Sequence, residues 1–213
     1  MALRLARFML PLSWILAVAG YCGPWIAHGT AALTLAGPDM GEFIKFLPGV
    51  LNGSLRVLRQ LFYLPPVAVA LSVSLLVGSK PLHYSWLLRI VALTLSLVAS
   101  VQLLPPAWSP ASLVTSEFRL QPVAMGVCWL VLAGFWFLGR LPVRLSGLLS
   151  YGLAFIAGAL SIWQFLVSKR AIDVVYGAST AVGWGCLVCL AGLLAIACAS
   201  LMLAFSVASE GGN

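Results

Sequence analysis

The sequence predicts an all-α fold, a polytopic membrane helix bundle that forms a single integral membrane domain over residues 1–213. Hydrophobic residues make up 62% of the chain and charged residues 8%, whereas soluble domains carry about 45–50% apolar and about 25% charged residues. The apolar residues form stretches long or nearly long enough to cross about 30 Å of hydrocarbon as helices. About six such stretches, numbered here as spans 1 to 6, lie at residues 8–26, 61–78, 84–104, 122–138, 145–167 and 178–208.

Span 1 follows Arg4 and Arg7 and has Tyr21 and Trp25 toward its far end, where aromatic residues commonly meet the membrane surface. The same segment also fits a cleaved signal peptide, with residues 1–19 removed at an A-x-A site. We favour a retained membrane helix, because the apolar run continues past that site.

The segment between spans 1 and 2, residues 38–60, predicts two short amphipathic helices that lie in the membrane interface. The first has apolar residues at i, i+3, i+4 and i+7 from Met40 and ends at Pro48. The second has an apolar face that runs from Leu51 to Phe62. A loop packed over the end of the bundle is the alternative interpretation of this segment.

Span 2 contains Pro65 and Pro66, and each proline disfavours the α conformation for the residue before it. We therefore expect the helix to break at Leu64 and Pro65. From Pro66 to Val77 an α-helix covers about 18 Å, too short to cross the hydrocarbon alone. Span 2 is then either a kinked helix that begins upstream, which we favour, or a broken helix of the kind that lines cavities in transporters.

Lysine and arginine are divided equally between the two predicted sides of the membrane. The side with both termini holds Arg4, Arg7, Lys80, Arg89, Arg140 and Arg144. The other side holds Lys45, Arg56, Arg59, Arg119, Lys169 and Arg170. Residues near short turns count most in the positive-inside rule, and these favour cytoplasmic termini in a bacterial cytoplasmic (inner) membrane. Arg89 lies inside span 3, from where its side chain can extend back to the interface.

Two stripes of small residues predict close packing between spans 5 and 6, since close backbone approach drives helix association in lipid. Span 5 carries its stripe at i+4 spacing on Ser146, Ser150, Ala154 and Gly158. Span 6 carries the matching stripe on Gly177, Ala181, Gly185 and Cys189.

Two groups of residues are candidates for chemistry. The first is a polar cluster on one predicted side, His28, Asp39, Glu42 and Lys45, which fits a headgroup or partner contact, or simply solvated residues with a Glu42–Lys45 pair. The second is Cys186-x-x-Cys189, the one cysteine pair with redox spacing. No charge lies beside this pair to stabilise a thiolate, so small packing residues are the better interpretation.

The sequence carries no motif that identifies an activity. Histidine and cysteine spacing predicts no metal site, and the P-loop, dinucleotide and G-x-S-x-G motifs are missing, so we expect no cofactor and no nucleotide binding. The net charge of +7 is scattered at the ends of apolar runs and does not predict a nucleic-acid partner.

Three functional hypotheses follow. The favoured one is non-enzymatic: a permease-like or accessory subunit of a membrane (transport) complex, with the lipid bilayer and other membrane subunits as partners. The second is a stand-alone carrier of an uncharged or apolar solute, since an ion-coupled carrier would need intramembrane charge. The third is a membrane enzyme, either a thiol oxidoreductase through Cys186 and Cys189 or a lipid-headgroup enzyme using the polar cluster.

Overall fold

The computed structural model describes residues 2–28, 33–105 and 108–210. It is mostly helical, with 77% of its residues in helices, which confirms the all-α class. Short 3₁₀ segments lie at Ile44–Phe46, Arg59–Tyr63 and Lys80–Leu82. The other elements are α1 (Ala2–Cys22), β1 (Pro24–His28), β2 (Leu33–Ala36), α2 (Gly37–Phe43), α3 (Pro48–Leu51), α4 (Leu64–Leu76), α5 (Trp86–Val101), α6 (Pro110–Leu113), α7 (Leu120–Ala133), α8 (Phe135–Leu138), α9 (Val143–Tyr176), β3 (Ala181–Val182) and α10 (Trp184–Glu210).

Within the described residues, four helical segments are long and apolar enough to cross a membrane. They are Ala2–Cys22, Arg59–Leu76, Val143–Tyr176 and Trp184–Ser206. Helices α5 and α7 are apolar but shorter. This pattern of long apolar helices is that of an integral membrane protein.

The expected break at Leu64 and Pro65 is not formed. Leu64 has α-helical dihedral angles, and a 3₁₀ segment that begins at Arg59 continues directly into α4. Both prolines lie in the first turn of α4, where the missing N–H groups would have had no partner in the helix. The helical path from Arg59 to Leu76 is therefore continuous.

The second amphipathic helix expected between Leu51 and Phe62 is also not formed. Residues 52–58 contain no helix, and the Leu51 and Leu58 side chains are exposed. Local turn hydrogen bonds hold the first part of this stretch, such as that from the N–H of Leu55 to the carbonyl of Gly49 (2.7 Å). At its end the backbone N–H of Leu58 donates to Oε1 of Gln164 on α9 (3.2 Å). The first amphipathic face does form, with Met40 and Leu47 fully buried.

A small antiparallel sheet, in the order β2-β1-β3, was not predicted from the sequence. Ile26 of β1 pairs with Leu35 and with Val182, which joins the end of α1 to the start of α10. Tyr21 and Trp25, expected at the lipid-facing membrane surface, are instead buried. Sequence position alone does not reveal this, because the ring of Trp25 packs against Tyr21, Phe62 and Phe165, which the tertiary fold brings together.

Helices α1 and α10 form the closest helix pair in the bundle. A Cβ atom added to Gly20 would lie 2.2 Å from the backbone nitrogen of Cys189, and one added to Gly192 would lie 2.5 Å from that of Ala17. The two backbones therefore come into close contact where residues 17–23 meet residues 185–192.

The small-residue stripe of span 5 lies on α9, and its Ser146, Ser150 and Ala154 are buried. Helices α9 and α10 are in contact, but Gly158 contributes only an ordinary contact, since an added Cβ would lie 3.8 Å from Leu193. This part of the stripe packs without close backbone approach.

The matching stripe expected on span 6 does not run along one helix. Gly177 ends α9 with a φ of 62°, a left-handed conformation suited to glycine, and Ala181 lies in β3. Gly185 and Cys189 lie on α10 but face α1: an added Cβ on Gly185 would be 2.4 Å from the backbone of Gly23. The prediction that these span 6 residues pack against span 5 is therefore wrong.

A chain of side-chain hydrogen bonds crosses the buried core. Nε1 of Trp14 donates to Oγ of Ser72 (3.0 Å), the hydroxyls of Ser72 and Ser150 are 2.7 Å apart, and Ser200 donates to Ser150 (3.0 Å). All four side chains are buried. This serine chain links the four long helical segments to one another.

Loops distant in sequence meet at each end of the bundle. One end, called here the sheet end, contains the sheet, residues 37–58 and the loop before α7, which are joined where Lys45 meets Glu117. Asp173 near the end of α9 accepts hydrogen bonds from the backbone and hydroxyl of Thr180, which holds the loop before β3 at the same end. The other end, called the opposite end, contains residues 77–85, residues 139–142 and the start of α1, where Arg7 donates to the carbonyl of His83 (2.8 Å).

Candidate functional site

Four charged residues at the sheet end form a connected network, called here the charge cluster: Glu42, Lys45, Arg59 and Glu117. Nζ of Lys45 lies 2.6 Å from Glu42 and 2.7 Å from Glu117. Nη1 of Arg59 lies 2.9 Å from Glu117 and 3.6 Å from Glu42. Each cation thus faces both carboxylates, and the cluster is electrically balanced.

Three segments of the chain supply this cluster. Glu42 and Lys45 lie one turn apart on α2 and the following 3₁₀ turn. Arg59 begins the 3₁₀ segment that leads into α4, and Glu117 comes from the loop between α6 and α7. The cluster therefore ties α2 and the 3₁₀ turn after it to the starts of α4 and α7.

Arg59 is the most enclosed member, with 11% of its side chain exposed. Its guanidinium group also donates to the backbone carbonyl of Glu117 and lies 4.9 Å from the centre of the Phe118 ring. Lys45 approaches the same ring at 5.1 Å. An aromatic face beside two cations adds attraction and keeps water from one side of the ion pairs.

Pairing shifts the protonation of two cluster residues. Burial alone would lower the pKa of Lys45, but hydrogen bonds to Glu117 and Glu42 outweigh it and raise the pKa. The hydrogen bond from Lys45 lowers the pKa of the Glu117 carboxyl, with further help from Arg59. Both shifts favour the charged forms, so Lys45 and Glu117 stay ionised around neutral pH.

Two cavities border the cluster and share Gln60. An open groove of about 430 Å³ is lined by Ile44, Lys45, Val50, Val57, Leu58, Arg59, Gln60, Ser116 and Glu117. A mainly apolar cavity of about 360 Å³ lies beside it, lined by Gln60, Tyr63, Leu64, Val67, Leu103, Leu120, Gln121, Val123 and Ala124. A charged groove next to an apolar cavity is suited to a molecule or segment with one polar and one apolar part.

Two polar side chains lie between the groove and the apolar cavity. The hydroxyl of Tyr63 donates to Oε1 of Glu42 (3.0 Å). Gln121 is 5% exposed, and its amide nitrogen and oxygen are buried without a well-formed hydrogen bond to any described residue. The amide interacts with the Tyr63 hydroxyl and has further donors and acceptors available at the cavity that it lines.

The polar cluster proposed from the sequence is divided in the structure. Glu42 and Lys45 join the charge cluster, whereas Asp39 accepts a hydrogen bond from the backbone of Ala36 (3.2 Å) and caps α2. The side chain of His28 lies outside the described part of the chain. Arg59 and Glu117 were not singled out, because a single sequence gives no sign that residues so far apart meet.

The cysteine pair is enclosed in the bundle. Cys186 and Cys189 are both fully buried, and Cys189 lies where α10 touches Gly20 of α1. Buried structural cysteines are inert toward external thiols and disulfides, so this location favours packing. Among the described residues, no group of three or more His, Cys, Asp or Glu side chains is placed to hold a metal ion.

Replacing Arg59 with methionine is expected to destabilise the protein by about 2 kcal/mol, since two carboxylates lose a charged hydrogen-bond donor. The matched control is Arg56→Met, because Arg56 is exposed and forms no ion pair with a described residue. Thermal unfolding in detergent measures both variants. Equal melting temperatures for the two would show that the charge cluster does not stabilise the sheet end.

Lowering the pH is expected to remove the contribution of the Glu117 carboxylate to the stability of the folded chain. Its pKa is lowered in the folded chain, so its stabilising effect is present above the ordinary carboxyl value of about 4.3 and is lost as the pH falls through the lowered value. The melting temperatures of wild type and Glu117→Gln should differ at pH 7 and converge as the pH falls below about 4.3. If the two melting temperatures differ by the same amount at neutral and at acidic pH, the ionised Glu117 carboxylate does not stabilise the fold.

Comparison with known proteins gives no match: no protein-family model, no curated protein and no solved structure is similar to this chain. Function must therefore be inferred from the residues themselves and their geometry.

Proposed function

We propose that this chain is a six-crossing integral membrane subunit, permease-like or accessory, of a membrane (transport) complex. In this proposal the membrane is the bacterial cytoplasmic (inner) membrane. Both termini and the opposite end face the cytoplasm, and the sheet end faces outward.

The alternation of the chain between its two ends supports six crossings. Helix α5 begins at the opposite end, after residues 77–85, and leads to the loop that holds Glu117 at the sheet end. Helices α7 and α8 return from that loop to residues 139–142. Residues 120–138 would cover about 28 Å, close to the hydrocarbon thickness, so the shorter helices also cross in this proposal.

Labelling from outside the cell tests the orientation. In a variant with Cys22 and Cys198 replaced by serine, new cysteines are introduced as Ser54→Cys at the sheet end and Lys80→Cys at the opposite end, both at exposed positions. An impermeant maleimide should label the first in intact spheroplasts and the second only after permeabilisation. Labelling of both from the same side would contradict an odd number of crossings between them.

The observation that carries the subunit role is the length of α9. Residues 143–176 cover about 51 Å as a helix, well beyond about 30 Å of hydrocarbon, and the apolar run ends near residue 167. The last turns therefore project beyond the membrane at the sheet end, where Val174 is 81% exposed. Val175 beside it is 50% exposed, and neighbouring apolar side chains held outside the lipid fit a protein contact.

The protein core also supports a non-catalytic role. Large side chains such as Trp14, Trp25 and Phe165 fill the interior. The charge cluster is balanced internally, so it stabilises the sheet end without needing a substrate. These features fit a rigid membrane component better than an enzyme.

Purification in mild detergent with mass spectrometry tests the subunit role. A photo-reactive residue at Val174 should cross-link to one protein that co-purifies in a fixed ratio. The control is the same residue at Leu187, which is exposed on α10 within its apolar run and should react with lipid. Elution of the chain alone, with no protein cross-link at Val174, would overturn the proposal.

The apolar cavity beside α4 favours a second candidate, a carrier of an uncharged or apolar solute. The buried amide of Gln121 is the polar group that such a solute would meet. Proteoliposomes with wild-type protein should then take up an uncharged solute such as glycerol faster than those with Gln121→Leu. Uptake equal to that of protein-free liposomes would reject this candidate.

A further inference from the structure

A cavity at the opposite end differs in its lining from the two sheet-end cavities described above. Its volume is about 330 Å³, and it is lined by Gly78, Lys80, Arg89, Trp136, Gly139 and Arg140. Three of these six residues are cations and none is an acid. Three different parts of the chain contribute the cations: the turn after α4, the first turn of α5 and the turn after α8.

Close contact between two glycines builds this cavity. A Cβ atom added to Gly139 would lie 2.6 Å from the carbonyl oxygen of Gly78, so only glycine allows the two turns to approach so closely. This contact places Lys80 and Arg140 on the same cavity. Arg89 reaches it from α5, so its side chain extends back to the turns and not into the apolar core.

The three cations lack counter-ions among the described residues. No ion pair involves Lys80, Arg89 or Arg140, whereas every lysine and arginine of the charge cluster is paired. The four acids whose side chains are described, Asp39, Glu42, Glu117 and Asp173, all lie at the sheet end. Three like charges around one cavity repel one another, and an anion in the cavity would relieve that repulsion.

Hydrogen-bonding capacity at the cavity is also unused. Nε of Arg89 is buried without a partner among the described residues. Arg140 is held against the ring of Phe137, 5.5 Å from its centre, which orients its guanidinium group. Guanidinium groups bind phosphate oxygens through two parallel hydrogen bonds, while a lysine contributes a compact charge.

We propose that this cavity binds a phosphate group, carried by an anionic lipid headgroup or present as free phosphate. Its location fits the lipid source. Trp136 is 59% exposed at the same place, and tryptophan is enriched at the level of the headgroups. Basic pockets between membrane helices on the cytoplasmic side bind anionic lipid headgroups.

Binding to delipidated full-length protein tests the proposal, with phosphatidylglycerol, phosphatidylcholine and inorganic phosphate as separate ligands in native mass spectrometry and calorimetry. Phosphatidylglycerol should bind more tightly than phosphatidylcholine, and Arg89→Gln with Arg140→Gln should weaken it about tenfold or more. The control is Arg144→Gln, a cation at the same end that does not line the cavity, and it should bind like wild type. Lys80→Gln, at an exposed residue, provides the same comparison if the arginine variants do not fold.

The ligands separate the two phosphate sources. Competition by inorganic phosphate would identify a free-phosphate site, and its absence together with tight phosphatidylglycerol binding would identify a lipid site. Equal affinity for the two lipids without phosphate binding, or equal losses in the cavity variants and in Arg144→Gln, would overturn the proposal.

Discussion

Replacing Gly20 with alanine is expected to disrupt the packing of α1 against α10. The added Cβ would lie 2.2 Å from the backbone nitrogen of Cys189, and a backbone atom cannot move aside as a flexible side chain can. Overpacking typically costs about 1–3 kcal/mol and occasionally more, and this contact belongs at the upper end. The melting temperature in detergent should fall by about 6–12 °C.

Gly152→Ala is the matched control for this change. Gly152 lies in the interior of α9, and an added Cβ would meet nothing within 4 Å. Because alanine is the better helix former, this variant should be as stable as wild type or slightly more so. If Gly20→Ala and Gly152→Ala unfold at the same temperature, α1 and α10 do not pack closely at Gly20.

The position of these glycines shows how far the sequence predicts packing. A stripe of small residues identifies a face that permits close approach, and Gly185 and Cys189 do lie in a close contact. The stripe does not identify the partner helix, since α1 and α9 both present small residues. Chain proximity suggested α9, whereas the sheet that joins β1 to β3 brings the start of α10 to α1.

That sheet also marks where apolar periodicity stops being informative. The sequence analysis places Trp25 and Ile26 in span 1, whereas in the structure they belong to β1. A short apolar run fits a helix and a buried strand equally well, so periodicity does not distinguish the two. Gly23 and Pro24 separate them from α1. The charge cluster could likewise be predicted only in part. The Glu42–Lys45 spacing predicts an ion pair within one helix, but only the tertiary fold brings Arg59 and Glu117 to that pair.

The serine chain could not be predicted either, because the sequence does not show which partner a hydroxyl group bonds to. Ser150 was counted only as a small residue of a packing stripe, although its hydroxyl accepts from Ser200 and contacts Ser72. A hydroxyl in a membrane helix either bonds within its own helix or reaches a neighbour, and the sequence does not distinguish the two. Ser74 shows the first case, with its hydroxyl donating to the carbonyl of Ala70 (2.8 Å).

Replacing Ser150 with alanine should therefore destabilise the bundle more than replacing Ser74 with alanine. Both serines are buried and both variants remove one hydroxyl, but only the first leaves the Ser200 hydroxyl without its partner on α9. An orphaned buried group costs about 1–3 kcal/mol, while hydrogen bonds between membrane helices average about 0.6 kcal/mol and reach about 1.7 kcal/mol. We expect a loss of about 1–2 kcal/mol for Ser150→Ala, and less for Ser74→Ala, in unfolding experiments in detergent.

A double-mutant cycle with Ser200→Ala separates the hydrogen bond from the loss of packing. If the bond between Ser200 and Ser150 (3.0 Å) carries the effect, the double variant should be about as stable as Ser150→Ala alone, because the second change removes the orphaned donor. Strictly additive losses would mean that the two hydroxyls act independently. The contact between α9 and α10 at this level would then depend on packing and not on the Ser150–Ser200 hydrogen bond.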